Sequence, residues 1–196
     1  DFTTRGRNVS VIFGDGAGAV VLQPTEDAHR GILSTHLHSD GSDAEILAMF
    51  NPGTHANHWK ENLASFNDGE IADMFMSHAM IDNAELFPNM DGPHVFKIAV
   101  VKFPEVILES LNKNGYQPSD LNLLIPHQAN LRIAQFVQHK LKLRDDQVYN
   151  NIQKYGNTTA ASVPIALCEA YEMEKVKEGD LVCLAAFGSG FTWASA

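Results

Sequence analysis

Two neutral hydrogen-bond donors that meet at one oxygen can hold the negative charge it gains when a carbonyl becomes an enolate or oxyanion. His127, in Ile125-Pro126-His127-Gln128-Ala129-Asn130, and Asn157, in Tyr155-Gly156-Asn157-Thr158-Thr159-Ala160-Ala161, are residue types suited to that task. Leu121 to Ile125 reads as a buried strand that delivers His127 to its exit, where the following helix presents unpaired backbone N–H groups. A helix N-terminus disfavours added positive charge, so the imidazole is expected neutral, with one ring proton to donate. An ordinary hydrogen-bonded loop histidine is the competing reading. Gly156 permits a tight backbone ahead of Asn157, whose carboxamide either converges on the same oxygen or caps the helix that begins there.

Other residues have weaker claims. Gly188-Ser189-Gly190 is either a plain hairpin turn or a set of backbone N–H groups lining a site, and Phe187 beside it either closes an apolar channel or simply packs. Arg132, five residues after His127, is suited to a phosphate or an acidic partner, and Lys140, Lys142 and Arg144 extend the basic character; a solvated helix face is the alternative. Gly14-Asp15-Gly16-Ala17-Gly18 lacks the Gly-Lys-Ser/Thr ending of a phosphate loop and returns at once to strand-like residues, so it reads as a structural turn. His36, His38, His55, His58, His78 and His94 are tempting ligands, but none stands in a His-Glu-x-x-His context, and no metal is expected.

The elements that must position these residues alternate. Strands are expected at Asn8 to Phe13, Ala19 to Leu22 (apolar throughout, hence buried on both faces), Gly31 to His38, Leu121 to Ile125, Leu181 to Ala185 and Phe191 to Ala194. Helices are expected from Ala99 to Leu111, ending near Gly115, from Ala129 to Leu141, and from Ala160 to Ala170. Residues 41 to 93 break the pattern, being rich in Asn, Asp, His, Met and Gly; they read as an insertion or substrate-channel cap, with a short helix at Ile71 to Met80. The fold class expected is α/β, with layered helices around a mixed five-stranded sheet and one domain over residues 1–196.

The 196 residues are 44% hydrophobic and 19% charged, as in an ordinary globular chain. A net charge of -10 argues against nonspecific binding to nucleic acid or anionic membrane, which need clustered positive charge. No run approaches the roughly 18 apolar residues of a membrane span, and the opening segment is unlike a signal peptide. Cys168 and Cys183 sit among apolar neighbours at no redox spacing, so both read as reduced core thiols in a cytoplasmic protein.

His127-Gln128-Ala129-Asn130-Leu131-Arg132-Ile133, Gly156-Asn157-Thr158-Thr159-Ala160-Ala161-Ser162 and Ala186-Phe187-Gly188-Ser189-Gly190-Phe191-Thr192-Trp193 together resemble 3-oxoacyl-[acyl-carrier-protein] synthase III. Phe13-Gly14-Asp15-Gly16-Ala17-Gly18-Ala19 fits the same family, and so do the order of the motifs and the separation 157 − 127 = 30 residues. The resemblance implies the C-terminal half of a thiolase-like fold, with a nucleophilic cysteine expected in an N-terminal half beyond this chain. It implies that His127 and Asn157 stabilise the enolate formed when malonyl-acyl carrier protein loses carbon dioxide. The acyl group that the enolate attacks arrives from acyl-coenzyme A, a substrate and not a resident cofactor. Phe187, Gly188, Ser189 and Gly190 would then shape the substrate and oxyanion region, and Arg132 would dock the acyl carrier protein. The complete enzyme would be a homodimer, and the isolated chain inactive. Two alternatives stay open: a related condensing enzyme of ketone, lactone or polyketide synthesis, and a noncatalytic thiolase-like partner subunit.

Overall fold

The computed structural model describes residues 7–27, 30–50, 78–82 and 86–196. In chain order the elements are α1 (Arg7–Ser10), β1 (His36–Ser39), β2 (Leu47–Ala48), α2 (His78–Asp82), β3 (Asn89–Met90), α3 (Gly92–Lys113), β4 (Leu123–Pro126), α4 (Leu131–Leu141), α5 (Ile152–Tyr155), α6 (Ser162–Glu172), β5 (Val182–Gly188) and β6 (Thr192–Ser195). A mixed sheet in the order β1-β6-β5-β4 forms the middle layer, with β4 and β5 parallel and the other pairings antiparallel. Helices cover both faces, as the alternation of strand and helix requires. Among the described residues this sheet has four strands where five are expected.

The two faces follow from side-chain alternation along the central strands. Leu124, Cys183, Ala185 and Phe187 point to one side, where they pack with Ala99, Phe103, Val106 and Ile107 of α3 and Ile133 and Val137 of α4. Leu123 and Ile125 point to the other, against Ala166 and Ala170 of α6. Leu124, Ile125 and Ile107 have no measurable exposure, and each such side chain stabilises the fold by about 1.5–3 kcal/mol.

Helix α3 begins earlier than its apolar repeat suggests. Asp91 accepts the backbone N–H of His94 at 3.1 Å, and Pro93 occupies the first turn, where its missing N–H costs nothing. The helix runs unbroken through Pro104, which is itself buried.

The segment 41–93 lies mostly outside the described residues, as does most of the helix expected at Ile71 to Met80; α2 begins at His78. Its two ends meet. Leu47 pairs with Met90 and Ala48 with Asn89 in a small antiparallel ribbon, and the Asp91 N–H donates to the Ile46 carbonyl at 2.9 Å. Leu47–Ala48 and Asn89–Met90 thus lie side by side although they are distant in the sequence.

The first two expected strands are absent from the described structure. Arg7–Ser10 is a single helical turn, and residues 14–25 carry no regular element. Val20, Val21 and Leu22, expected to be buried, are 64%, 91% and 74% exposed. The physical reason is local: a strand forms against a partner, and no described strand pairs with this stretch. The third expected strand shortens to β1, which has β6 to pair with.

The glycine row from Gly14 to Gly18 is likewise no turn. It runs along the Tyr155–Pro164 segment at contact distance. A Cβ on Gly14 would lie 2.0 Å from the Tyr155 carbonyl oxygen, one on Gly16 2.9 Å from the Thr158 Cβ, and one on Gly18 2.3 Å from the Pro164 Cγ. Glycine is needed there because no room is left for a side chain: Gly14 meets backbone, and Gly16 and Gly18 meet the side chains of Thr158 and Pro164.

Candidate active site

His127 sits one residue beyond β4, and its backbone N–H still belongs to the sheet, donating to the Ala185 carbonyl at 2.8 Å. The next helix starts only at Leu131, capped by Asn130, whose side-chain oxygen accepts the Arg132 N–H at 2.9 Å. The imidazole is thus held by the strand, and a helix terminus is not what keeps it neutral. Burial alone pushes its pKa below the ordinary imidazole value. Its Nδ1 lies 2.6 Å from the Ser162 hydroxyl at the start of α6.

Asn157 is pinned by three bonds. Its N–H donates to the Ile12 carbonyl at 2.9 Å and its carbonyl accepts the Gly14 N–H at 3.0 Å, a short parallel bridge between the two segments. Its side-chain oxygen accepts the Thr159 N–H at 2.9 Å. That last bond assigns the oxygen to a local turn and directs the NH2 end of the carboxamide away from it. Helix α6 is capped by Ala161, so the capping role open to Asn157 is not the one it takes.

A single buried side chain ties the two loops together. Gln128 donates from Nε2 to the carbonyls of Pro126 at 2.7 Å and Tyr149 at 3.4 Å, and accepts at Oε1 the N–H groups of Asn151 at 2.9 Å and Ile152 at 3.1 Å. All four of its hydrogen-bonding positions are used inside the protein. The His127 turn and the turn leading through α5 to Asn157 are thereby one rigid unit.

His127 and Asn157 line the same cavity, of about 970 Å³, together with Phe187, Gly188 and Ser189. The remaining wall is largely apolar, with Phe13, Leu47, Phe96 and Trp193 among its residues. Phe187 is 6% exposed, with its ring centroid 5.2 Å from that of Phe191. The Ser189 hydroxyl donates to the Leu47 carbonyl at 2.6 Å, fastening the residue after β5 to β2. Gly190 does not line the cavity, and Gly188 closes β5 where a turn is expected.

Arg132 is apart from the cavity, exposed on α4, and forms no ion pair among the described residues. Leu131 and Phe136 on the same helix are 39% and 41% exposed. Arg144, expected to extend the basic region, is instead paired with Asp146 at 3.0 Å.

Three of the other histidines have carboxylate partners. His36 and His38 flank Glu109 at 3.2 and 2.6 Å, and His94 lies 3.1 Å from Asp43. His55 and His58 lie outside the described residues. No group of His, Cys, Asp and Glu able to hold a metal ion occurs among the described residues. No helix among them is long and apolar enough to cross a membrane.

The cysteines divide, contrary to their expected similarity. Cys183 is buried in β5, where burial pushes its thiol pKa up to about 11, whereas Cys168 is exposed on α6 and lines a different, smaller cavity. Sequence reasoning passed over Gln128 and Ser162 as site residues. A serine inside a nearly all-apolar helix opening, and a glutamine directly after the strand-exit histidine, were the available signals.

Helices layered on a mixed sheet define a thiolase-like α/β fold, the architecture of the solved structures this chain superposes on. The family model for the C-terminal part of 3-oxoacyl-[acyl-carrier-protein] synthase III matches residues 111–196, and a second model for the same family matches residues 1–41. The chain belongs to this family. It is 42% identical over 193 residues to the beta-ketoacyl-[acyl-carrier-protein] synthase III of Rhodospirillum centenum, covering 97% of this chain and 52% of that protein. With the enzyme of the same name from Xanthomonas euvesicatoria it shares 44% identity over 190 residues, at 97% and 51% coverage. It also superposes on the crystal structure of 3-oxoacyl-[acyl-carrier-protein] synthase III from Aquifex aeolicus with a TM-score of 0.76 and 40% identity, covering 96% of this chain and 50% of that one. The chain spans about half the length of the curated relatives it matches.

Proposed function

We propose that this chain is the C-terminal half of a 3-oxoacyl-[acyl-carrier-protein] synthase III and that His127 and Asn157 stabilise the enolate in its decarboxylative condensation. The observation that carries the reading is their presence on the wall of one apolar cavity, with His127 held uncharged by burial and the Asn157 oxygen tied back to Thr159. In a water-poor site two such donors stabilise developing charge more than they stabilise the substrate. In the complete enzyme the acyl group passes from coenzyme A to a cysteine of the N-terminal half. Malonyl-acyl carrier protein then loses carbon dioxide, and the resulting enolate carbon attacks the acyl-cysteine carbonyl and expels the cysteine thiolate. Neither cysteine of this chain suits that role, because Cys183 is buried with a raised pKa and Cys168 faces another cavity.

Phe187, Gly188 and Ser189 shape the acyl side of the cavity, and Gly190 belongs to the same turn without lining it. Residues 41–93 act as an inserted cap over the channel, consistent with the ribbon that joins their ends. The exposed apolar stretch from Val20 to Leu22 is of the kind the N-terminal half would cover. The complete enzyme is cytoplasmic and homodimeric, uses no resident cofactor, and the isolated chain is inactive. Assay of the complete protein with a panel of acyl-coenzyme A donors and malonyl-acyl carrier protein tests this. Condensation only with another extender would favour specialised ketone or polyketide synthesis, and no condensation at all would favour a partner subunit.

Two further outcomes are expected. Arg132→Glu raises the KM for the carrier-protein substrate about 10-fold or more at low salt, with hydrolysis of a small thioester little changed, because an exposed cation acts by steering an acidic partner. Unchanged carrier-protein kinetics would remove Arg132 from the docking surface. The rate of malonyl decarboxylation is also expected to fall on the acid side with a midpoint below pH 6.5. The sign follows from burial: the folded-state pKa of His127 lies under the ordinary 6.5, so the neutral donor persists until the pH drops past that lowered value. A pH-rate profile whose acid limb has its midpoint above 6.5 would contradict this.

A further inference from the structure

We infer that Ser162 is a positioning residue that fixes the tautomer of His127, donating its hydroxyl proton to Nδ1 so that the ring proton stands on Nε2. The geometry carries this. The Ser162 side chain is 2% exposed, and its Oγ lies 2.6 Å from His127 Nδ1 and 3.3 Å from the backbone nitrogen of Gln128. The Gln128 N–H can only donate, so the serine oxygen is its acceptor. The hydroxyl carries one proton of its own, and Nδ1 is the acceptor recorded for it among the described residues. If Nδ1 held the ring proton instead, the serine oxygen would receive two N–H groups and its own buried hydroxyl proton would be orphaned. An unmet buried donor costs about 1–3 kcal/mol, enough to decide between tautomers that are nearly equal in energy in water.

The arrangement also resists formation of the imidazolium, which would need a proton on Nδ1 at the same cost. Ser162 belongs to the first turn of α6, and His127 to the exit of β4. The helix on one face of the sheet thus sets the donor that the strand presents to the cavity. Its value for catalysis rests on the reading of His127 as an enolate-stabilising donor; the tautomer itself does not.

The test uses the complete protein labelled with 15N-histidine, the His127 signals being identified by their loss in His127→Ala. Wild-type protein is expected to show a protonated Nε2 and a bare, hydrogen-bonded Nδ1. In Ser162→Ala an Nδ1-protonated fraction appears, malonyl decarboxylation falls about 10-fold in kcat with KM little changed, and cysteine acylation keeps its rate. Alanine is a good helix former, so α6 is retained. A wild-type ring protonated at Nδ1, or a Ser162→Ala spectrum identical to wild type, overturns the inference whatever the rates. Absence of decarboxylation in wild-type protein with the expected tautomer would leave Ser162 in place and sink the functional reading instead.

Discussion

In the complete protein, His127→Ala is expected to slow malonyl decarboxylation about 10²–10³-fold, the usual cost of removing one donor from an oxyanion site. Acylation of the enzyme by acyl-coenzyme A is expected to stay within a few-fold of wild type. The asymmetry follows from where charge appears. An enolate oxygen gains nearly a full negative charge as carbon dioxide leaves, and the imidazole, kept neutral by burial, offers it a proton to share without having to change its own charge. Acyl transfer to the cysteine develops its charge on a different carbonyl, near the end of β5 in our reading. Separate single-turnover measurements of the two steps decide the matter. Equal losses in both would mean that the substitution had disturbed the fold, since it also removes the side-chain partner of the buried Ser162 hydroxyl.

The second large effect lies outside the cavity's polar residues. Gly14→Ala is expected to destabilise the complete protein by about 3 kcal/mol or more, at the upper end of overpacking costs. The new methyl carbon would sit 2.0 Å from the Tyr155 carbonyl oxygen, and a backbone oxygen has no rotamer by which to retreat. Relief requires the 12–14 segment to separate from residues 155–157, which breaks the two backbone bonds that hold Asn157. Activity is therefore expected to fall further than lost stability explains. Denaturant midpoints and decarboxylation rates, measured beside Gly41→Ala, provide the check. Gly41 has nothing within 4 Å of its hypothetical Cβ, so its substitution sets the baseline. A Gly14→Ala protein as stable as Gly41→Ala would remove the close approach from the account of how Asn157 is positioned.

The opening residues and the second half of the chain differ in how much of this was legible in advance. From Val95 onward the apolar repeats of α3, α4 and α6 and the short buried runs of β4 and β5 identify their elements correctly, because each buries a continuous face against neighbours within the same stretch. Residue type and spacing also single out His127 and Asn157, and the structure places both on one cavity wall. Before residue 25 the same rules fail. Ala19 to Leu22 is as apolar as β4, yet the described structure gives it no strand to pair with, and the glycine row that looked like a turn is a line of close approaches to residues far along the chain. Periodicity reports which residues favour burial; it does not report against what.

The division runs through the site itself. The amino-acid order alone determined that a histidine would leave a buried strand, that an asparagine would follow a glycine thirty residues later, and that the helices and strands between them would alternate. Only the tertiary structure decided that Gln128 would bind both loops into one unit, that Ser162 would stand behind the imidazole, that Arg144 would be occupied by Asp146, and that the two cysteines would differ in exposure. The reason is that hydrogen bonds and burial between distant segments depend on distances set by packing, and no local spacing rule carries those distances.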